Sequence, residues 1–192
     1  GMLAVEEGFD VMALGEMGIA NTTSGAAICC ALFGGEPSDW IGPGTGVGQA
    51  GLSRKAEVVG QALATHQGQL DDPLEVLRRL GGLELAAIAG AILACRLGRT
   101  PVLLDGFTCT AAAAVLYRLD RHALDHCTVA HVSAEPGHRR LLQAIEKRAL
   151  VDLDMRLGEA SGAALAIPLL QAAVTCHAGM ATFAEAGVST PD

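Results

Sequence analysis

The sequence has few aromatic residues, little positive charge and no long hydrophobic run. Aromatic residues make up 3% of the 192 residues, whereas 51% are hydrophobic, so the core must be built mainly from Ala, Leu, Val and Ile. The formal net charge of -8 leaves no excess of Lys and Arg to neutralise a phosphate backbone. We therefore expect no DNA or RNA partner.

The sequence also has no segment that we expect to cross a membrane. Its longest apolar runs, residues 85–95 and 163–176, are shorter than the roughly 20 residues a bilayer requires, and Pro168 interrupts the second. No secretory signal pattern is present at the start. Six cysteines lie in apolar segments without C-x-x-C spacing, which indicates reduced thiols in a cytoplasmic protein: Cys29, Cys30, Cys95, Cys109, Cys127 and Cys176.

The histidines give no metal-binding pattern. His122 and His126 are four residues apart, but Ala123 stands where a zinc protease needs Glu. His131 and His138 bracket a polar loop and are candidates to line a site, yet no third ligand has a suitable spacing. We expect no metal and no cofactor.

Short apolar strands alternate with helices along the chain, which predicts an α/β fold. The strands are expected at residues 11–14, 101–104, 127–133 and 150–153, each followed by a helical pattern. This order indicates a doubly wound, mostly parallel, Rossmann-like sheet flanked by helices. Residues 1–160 would form this core, and residues 161–192 would supply C-terminal helices of a small helical domain.

The strongest candidate for catalysis is Glu159, which lies between glycines just before an apolar helix. Ser161 is a suitable N-cap for that helix, so the Glu159 carboxylate would lie in the positive field of the helix N-terminus. Small residues at Gly158, Ala160 and Gly162 would let a flat ligand approach the backbone. The alternative is a helix-entry loop whose acid only complements the helix dipole.

The loops after the first strand carry polar residues that should lie at the carboxyl edge of the sheet. Glu16 follows that strand, and the run Asn21, Thr22, Thr23 and Ser24 offers either helix caps or hydroxyls for a phosphate. The alternate glycines of residues 42–48 could form an anion-binding turn, although Pro43 breaks the dinucleotide fingerprint and a plain surface loop remains the alternative. Lys55 could reach a phosphate from the next helix or be solvated.

The loops after the second and third strands also carry polar groups. Asp105 and Gly106 follow the second strand, where the carboxylate could accept a hydrogen bond from a ribose hydroxyl or simply make a turn. Ser133 ends the third strand. Because carboxyl ends of parallel strands meet at one edge of a sheet, these loops and the Glu159 loop should converge.

Five sequence runs together resemble the nicotinate-nucleotide-dimethylbenzimidazole phosphoribosyltransferase family. They occur in the family's order and cover essentially the whole chain: LGEMGIANTT (14–23), RRLGGLE (78–84), LLDGF (103–107), HVSAEPGH (131–138) and MRLGE (155–159). The resemblance implies a cytoplasmic, homodimeric enzyme of cobalamin lower-ligand biosynthesis. It would transfer 5-phosphoribosyl from nicotinate mononucleotide to 5,6-dimethylbenzimidazole, giving α-ribazole 5'-phosphate and nicotinate.

The resemblance also implies roles for individual residues. Glu159 would be the general base that takes the benzimidazole proton, and Glu16 would be a second acid of the cavity. The residues expected to bind substrate are Gly18, Asn21, Thr22, Gly44, Thr45, Gly46, Lys55, Asp105, Gly106, Ser133, Gly158 and Gly162. Of these, the residues from Asn21 to Lys55 would serve the phosphate, and Asp105, Gly106 and Ser133 the ribose or nicotinate.

The sequence departs from the family pattern at three positions and in length. Ala20 and Ala160 stand where the family often has Gly, and Pro43 stands where Arg is usual. Family members carry roughly another half-chain before Val11. We therefore expect reduced or absent activity for this chain alone, and a catalytically silent module that binds a nucleotide or phosphate is the alternative hypothesis.

Overall fold

A computed structural model describes residues 1–5, 8–44, 46 and 48–189 of the chain. Its centre is a four-stranded parallel sheet in the order β1-β2-β3-β4. The strands are β1 (Met12–Leu14), β2 (Val102–Leu104), β3 (Cys127–Ser133) and β4 (Ala149–Met155). The predicted α/β class with a parallel sheet is thus confirmed.

Within the described residues, seven α-helices connect and cover these strands. They are α1 (Asn21–Phe33), α2 (Gln49–Thr65), α3 (Pro73–Leu80), α4 (Leu83–Leu97), α5 (Phe107–Leu119), α6 (Pro136–Ala144) and α7 (Ser161–Gly179), with 3-10 turns at Met2–Val5 and Pro37–Asp39. Helix α1 begins at Asn21, so the polar run from Asn21 to Ser24 forms its first turn.

The two faces of the sheet are covered differently. Val102 and Leu104 of β2 join the large core formed with α1, α4, α5 and α6, whereas Leu103 between them packs with Ala163 and Ala166 of α7. This alternation follows from the period of two along a strand. Among the described strands, successive strands are neighbours and the order does not reverse, so the carboxyl ends of all four lie in a row.

Helix α7 differs from the sequence-based expectation in two ways. It runs through Pro168 for 19 residues and is, by length and composition only, apolar enough to cross a membrane. Gly162, Ala163 and Ala166 in its first half are nevertheless buried against the sheet, while its second half is exposed. The proposed small helical domain of residues 161–192 remains a prediction, with residues 190–192 outside the described part.

Ser161 is not the N-cap of α7. The cap position is Ala160, in a left-handed conformation at φ 60, and Ser161 is the first helical residue. Its Oγ is buried and has no hydrogen-bond partner in the described part of the chain. Helix α1 also begins after a left-handed alanine, Ala20 at φ 69. By contrast, Asp72 caps α3 with its side chain, accepting a hydrogen bond from the Leu74 N–H at 2.9 Å.

All six cysteines are free thiols, and five of them are buried. The buried ones are Cys29, Cys30, Cys95, Cys109 and Cys127, whereas Cys176 lies on the exposed half of α7. An apolar sequence segment therefore does not by itself indicate that a helix residue is buried.

Candidate functional site

A cavity of about 680 Å³ lies at the carboxyl edge of the sheet. Its walls come from the loops after all four strands, from the glycine-rich segment before α2, and from α2 itself. The lining residues are Glu16, Met17, Gly18, Ile19, Ala20, Asn21, Thr22, Pro43, Gly44, Lys55, Gly106, Phe107, Thr108, His131, Ser133, Glu135, Arg156, Leu157, Gly158 and Glu159.

Glu16 forms one acidic wall of the cavity. It follows β1 directly, and its Oε2 accepts a hydrogen bond from the Asn21 side-chain amide at the start of α1. Partial burial raises the pKa of the Glu16 carboxyl above its ordinary value, against the lowering effect of the Asn21 hydrogen bond. The negative charges of Asp105, Glu84 and Glu159 raise this pKa further. A carboxyl with a raised pKa is better suited to exchange protons near neutral pH.

Glu159 lies beside Glu16 at the mouth of the cavity. The backbone N–H of Glu159 donates to the Glu16 carbonyl oxygen at 3.0 Å, which fixes the two loops to each other. Glu159 is exposed, and its backbone is left-handed at φ 57 between Gly158 at φ 79 and Ala160 at φ 60. This turn directs the segment from β4 into α7, and Glu159 lines the cavity.

Asp105 fixes the start of α7 from beneath the cavity. Its Oδ1 accepts hydrogen bonds from the backbone N–H groups of Gly162 at 2.8 Å and Ala163 at 3.1 Å. His131 Nε2 is 3.3 Å from the same oxygen, close enough for an ion pair but not aligned as a hydrogen bond. Burial acts to raise the pKa of Asp105, but His131 and the two N–H groups outweigh it, so the pKa is lowered.

The close packing around Asp105 requires glycine at position 162. A Cβ on Gly162 would overlap the His131 ring and would lie 2.8 Å from Asp105 Oδ1. The absence of a side chain therefore allows the backbone N–H to reach the carboxylate. Gly162 thus contributes to the floor beneath the site.

His138 and Ser133 form a second buried layer beside the cavity. The Ser133 N–H donates to His138 Nδ1 at 2.7 Å, so His138 Nε2 carries the proton and donates to Thr110 Oγ1 at 3.1 Å. Burial lowers the pKa of His138 to about 3. This neutral histidine ties the end of β3 to α5.

Two charged side chains contact the glycine-rich turn that contains Gly42 and Gly44. Lys55 Nζ donates to the Gly42 carbonyl at 2.9 Å and to Thr22 Oγ1 at 3.1 Å. Glu135 Oε1 accepts from the Gly44 N–H at 2.7 Å. Among the described residues, Lys55 therefore uses two of its three N–H donors.

Most of the residues singled out in the sequence converge on this cavity. Those that line it are Glu16, Gly18, Asn21, Thr22, Gly44, Lys55, Gly106, Ser133, Gly158 and Glu159. Asp105 and Gly162 lie behind the lining, so the expected direct contact of Asp105 with ribose is not supported by its position. Gly46 is not among the lining residues, and Thr45 lies outside the described part of the chain.

Sequence reasoning missed several residues of the lining. Met17, Ile19 and Leu157 are large apolar side chains that are mostly exposed at the cavity rim. Their position next to Glu16 and Glu159 in polar loops was an available signal, because apolar residues in loops frequently mark binding surfaces. Glu135 was also missed, since its contact with Gly44 spans 91 residues of sequence.

Within the described residues, no group of three or more His, Cys, Asp or Glu side chains could hold a metal ion. The ionisable side chains of the lining are the carboxylates of Glu16, Glu135 and Glu159, the cations Lys55 and Arg156, and the His131 imidazole. A carboxylate pair can exchange a proton, and Lys55 with the N-terminus of α1 can bind an anion.

A family model described as a phosphoribosyltransferase matches residues 2–188. The chain is also similar to curated proteins named nicotinate-nucleotide--dimethylbenzimidazole phosphoribosyltransferase. It is 58% identical to the one from Brucella anthropi and 59% identical to the one from Brucella canis, in each case over 98% of this chain. It spans only 56% of the length of these two relatives.

Solved structures give the same result. The crystal structure of CobT from Thermus thermophilus matches with a TM-score of 0.91 at 48% identity, covering 98% of this chain and 56% of that one. A structure from the same organism, described as the nicotinate-nucleotide-dimethylbenzimidazole phosphoribosyltransferase, matches with a TM-score of 0.88 at 46% identity, covering 98% of this chain and 55% of that one. The fold is therefore shared along nearly the whole of this chain.

Proposed function

This chain belongs to the phosphoribosyltransferase family, and we propose that its cavity transfers a 5-phosphoribosyl group from nicotinate mononucleotide to 5,6-dimethylbenzimidazole. The products are α-ribazole 5'-phosphate and nicotinate, and the reaction belongs to assembly of the cobalamin lower ligand. The observation that carries the proposal is that Glu159 and Glu16, whose backbones are hydrogen-bonded to each other, line one cavity together with Lys55.

In the proposed reaction, one azole nitrogen of the benzimidazole forms a bond to the anomeric carbon. The bond from that carbon to the ring nitrogen of nicotinate breaks, and its electron pair stays on the departing ring, which loses its positive charge. Glu159 accepts the proton from the other azole nitrogen. A positioned base of this kind contributes about 10²- to 10⁴-fold to rate.

Glu16 assists in this proposal as a second acid. Its raised pKa and its contact with Asn21 suit it to hold or relay a proton next to Glu159. The apolar rim of Met17, Ile19 and Leu157 suits a flat aromatic acceptor, because burying these side chains against the ring removes apolar surface from water.

The phosphate is proposed to bind beside Lys55 and the glycine-rich turn. Lys55 uses two of its three N–H donors among the described residues, one of them on Thr22. Thr22 lies in the first turn of α1, where backbone N–H groups and the helix dipole favour an anion. Gly44 would contribute here through its lack of a side chain and not as a hydrogen-bond donor, since its N–H already donates to Glu135.

A catalytically silent module that binds a nucleotide or phosphate is the second candidate function. It is favoured by length, because the chain spans 56% of the relatives it matches. Nicotinate release should be measured by chromatography for this chain and for a hybrid in which residues 2–188 replace the matching part of the Brucella canis relative. Benzimidazole-dependent release by the hybrid supports the transferase, and nucleotide binding without release supports the silent module.

We further propose a cytoplasmic location and a homodimer, with no nucleic-acid or membrane partner. Helix α4 leaves Leu83 and Leu97 largely exposed and is therefore a candidate subunit contact. Light scattering on the purified hybrid tests the dimer, and a monomeric mass would contradict it.

A further inference from the structure

We propose that Glu135 is a positioning residue for the phosphate subsite, acting through the glycine turn and Lys55. The inference rests on the proposed function, because it assumes that the nucleotide's phosphate binds next to Lys55. Glu135 itself is not proposed to touch the phosphate.

The Glu135 carboxylate is buried and has an unusual set of partners. The residue is 4% exposed, and Oε1 accepts the Gly44 N–H at 2.7 Å, whereas Oε2 has no hydrogen-bond partner among the described residues. No Lys, Arg or His side chain of the described part lies within ion-pair distance of it. A buried carboxylate with so little compensation is costly, which indicates a function other than stability.

The position of Glu135 explains why its carboxylate meets the turn. It follows β3 and immediately precedes α6, so its backbone is fixed by two regular elements. It does not cap α6 with its side chain, which extends across to the turn instead.

The turn is thus held by opposite charges at its two ends. Lys55 binds the carbonyl of Gly42, and Glu135 binds the N–H of Gly44 two residues later. Lys55 donates one hydrogen bond to this turn and one to Thr22. The position of the turn therefore determines the direction of the third N–H of the Lys55 ammonium. Glu135 thus orients this ammonium through the backbone of the turn.

Gly42 provides an independent sign of this coupling. A Cβ at Gly42 would overlap Glu135 Oε2 and would lie 2.7 Å from Pro136 Cδ. The turn therefore packs directly on the carboxylate, and only a residue without a side chain fits. An alanine at this position would push the turn and Glu135 apart.

Positioning and simple electrostatics predict opposite effects for Glu135→Ala. Removing a negative charge near the subsite should tighten phosphate binding if electrostatics alone acted. Loss of the hydrogen bond to the Gly44 N–H should instead release the turn and weaken phosphate binding. Glu135→Gln keeps an oxygen that can accept from the Gly44 N–H, so it should rescue most of the binding.

The test compares two ligands by calorimetry with this chain: nicotinate mononucleotide and nicotinate riboside, which lacks the phosphate. For Glu135→Ala we expect the Kd of the mononucleotide to rise about tenfold and the Kd of the riboside to change by less than about threefold. Glu135→Gln should stay within about threefold of wild type for both. Glu57→Gln, on the exposed side of α2, is the matched control for loss of one carboxylate.

Thermal melting shows whether Glu135→Ala is folded, and Gly42→Ala is a second variant that tests the same contact if it is not. Gly42→Ala should weaken mononucleotide binding selectively, and in the Glu135→Ala background it should add less than it does alone. An unchanged ratio of the two Kd values in Glu135→Ala, or a tighter mononucleotide, overturns the inference while the proposed function stands. A wild-type chain that does not prefer the mononucleotide overturns both.

Discussion

Asp105 Oδ1 accepts the backbone N–H of Gly162 at 2.8 Å across 57 residues of sequence. This bond ties the end of β2 to the first turn of α7, directly beneath the loop that carries Glu159. The geometry of Glu159 thus depends on a buried carboxylate that lies behind the cavity lining. Because the same oxygen also accepts the Ala163 N–H, Asp105 satisfies two of the free donors at the start of α7.

Asp105→Ala should destabilise the fold. It leaves two backbone N–H groups and His131 without their carboxylate partner, and we expect a loss of roughly 3 kcal/mol in the free energy of unfolding. Asp105→Asn keeps one acceptor oxygen and should cost about 1 kcal/mol. Urea denaturation measures both. The control is Asp152→Ala, which removes an exposed pair with Arg139 and should cost less than about 1 kcal/mol; a larger loss there than for Asp105→Ala would contradict this account.

His138 should make the protein sensitive to acid. Its pKa is lowered to about 3 in the fold, while the unfolded chain has the ordinary value of about 6.5, so below that pH the unfolded state binds the extra proton. The stability that neutral His138 contributes is present above about pH 6.5 and is lost as the pH falls toward 3. Between pH 6 and pH 4 we expect a loss on the order of 2 kcal/mol.

The comparison for this prediction is His138→Gln, whose amide can accept from the Ser133 N–H but cannot titrate. Denaturation curves at several pH values should show a smaller loss for the variant between pH 6 and pH 4. Equal losses for the two proteins would mean that other groups cause the acid sensitivity.

Glu16 should have the opposite pH dependence. Its pKa is raised in the fold, so the folded state binds a proton more readily than the unfolded chain. The corresponding stability is present below the ordinary pKa and is lost as the pH rises through the raised value. Glu16→Gln keeps an acceptor for Asn21 and should therefore gain stability relative to wild type at pH 8 but not at pH 4. Melting temperatures at the two pH values measure this, and a variant less stable at pH 8 would refute it.

Replacing Ala20 or Ala160 by glycine should stabilise the fold. Both have left-handed backbones, at φ 69 and φ 60, which disfavour a residue with a Cβ. We expect Ala20→Gly and Ala160→Gly each to stabilise the fold by about 1 kcal/mol. Ala172→Gly, on the exposed part of α7, should destabilise by up to about 1 kcal/mol, because glycine weakens a helix interior. A higher melting temperature for Ala172→Gly than for Ala20→Gly and Ala160→Gly would contradict the conformational argument.

The sequence predicted the layout of the fold well, because its signals there are local. The apolar run at β3 is encoded by neighbouring residues, and the structure has this strand at the predicted bounds of residues 127–133. The parallel strand ends then brought Glu16, Gly106 and Ser133 to one cavity, as the topology requires.

What the sequence could not provide is the direction of individual side chains. Asp105 follows a strand as Glu16 does, yet one is directed under α7 and the other into the cavity. Ser161 has the composition of a cap, but the turn through Glu159 and Ala160 places it one position inside the helix. Glu135 contacts Gly44 only because distant segments meet, and no local pattern encodes that contact.

The central claim, that Glu159 is the base of the transfer reaction, is tested most directly by Glu159→Gln in the hybrid with the Brucella canis relative. The measurement is the rate of benzimidazole-dependent nicotinate release, with the Kd of nicotinate mononucleotide determined alongside and Asp154→Asn as the exposed acidic control. We predict a rate lower by about 10²- to 10⁴-fold, a Kd within about threefold of wild type, and an unaffected control. Release by Glu159→Gln at the wild-type rate would contradict the account.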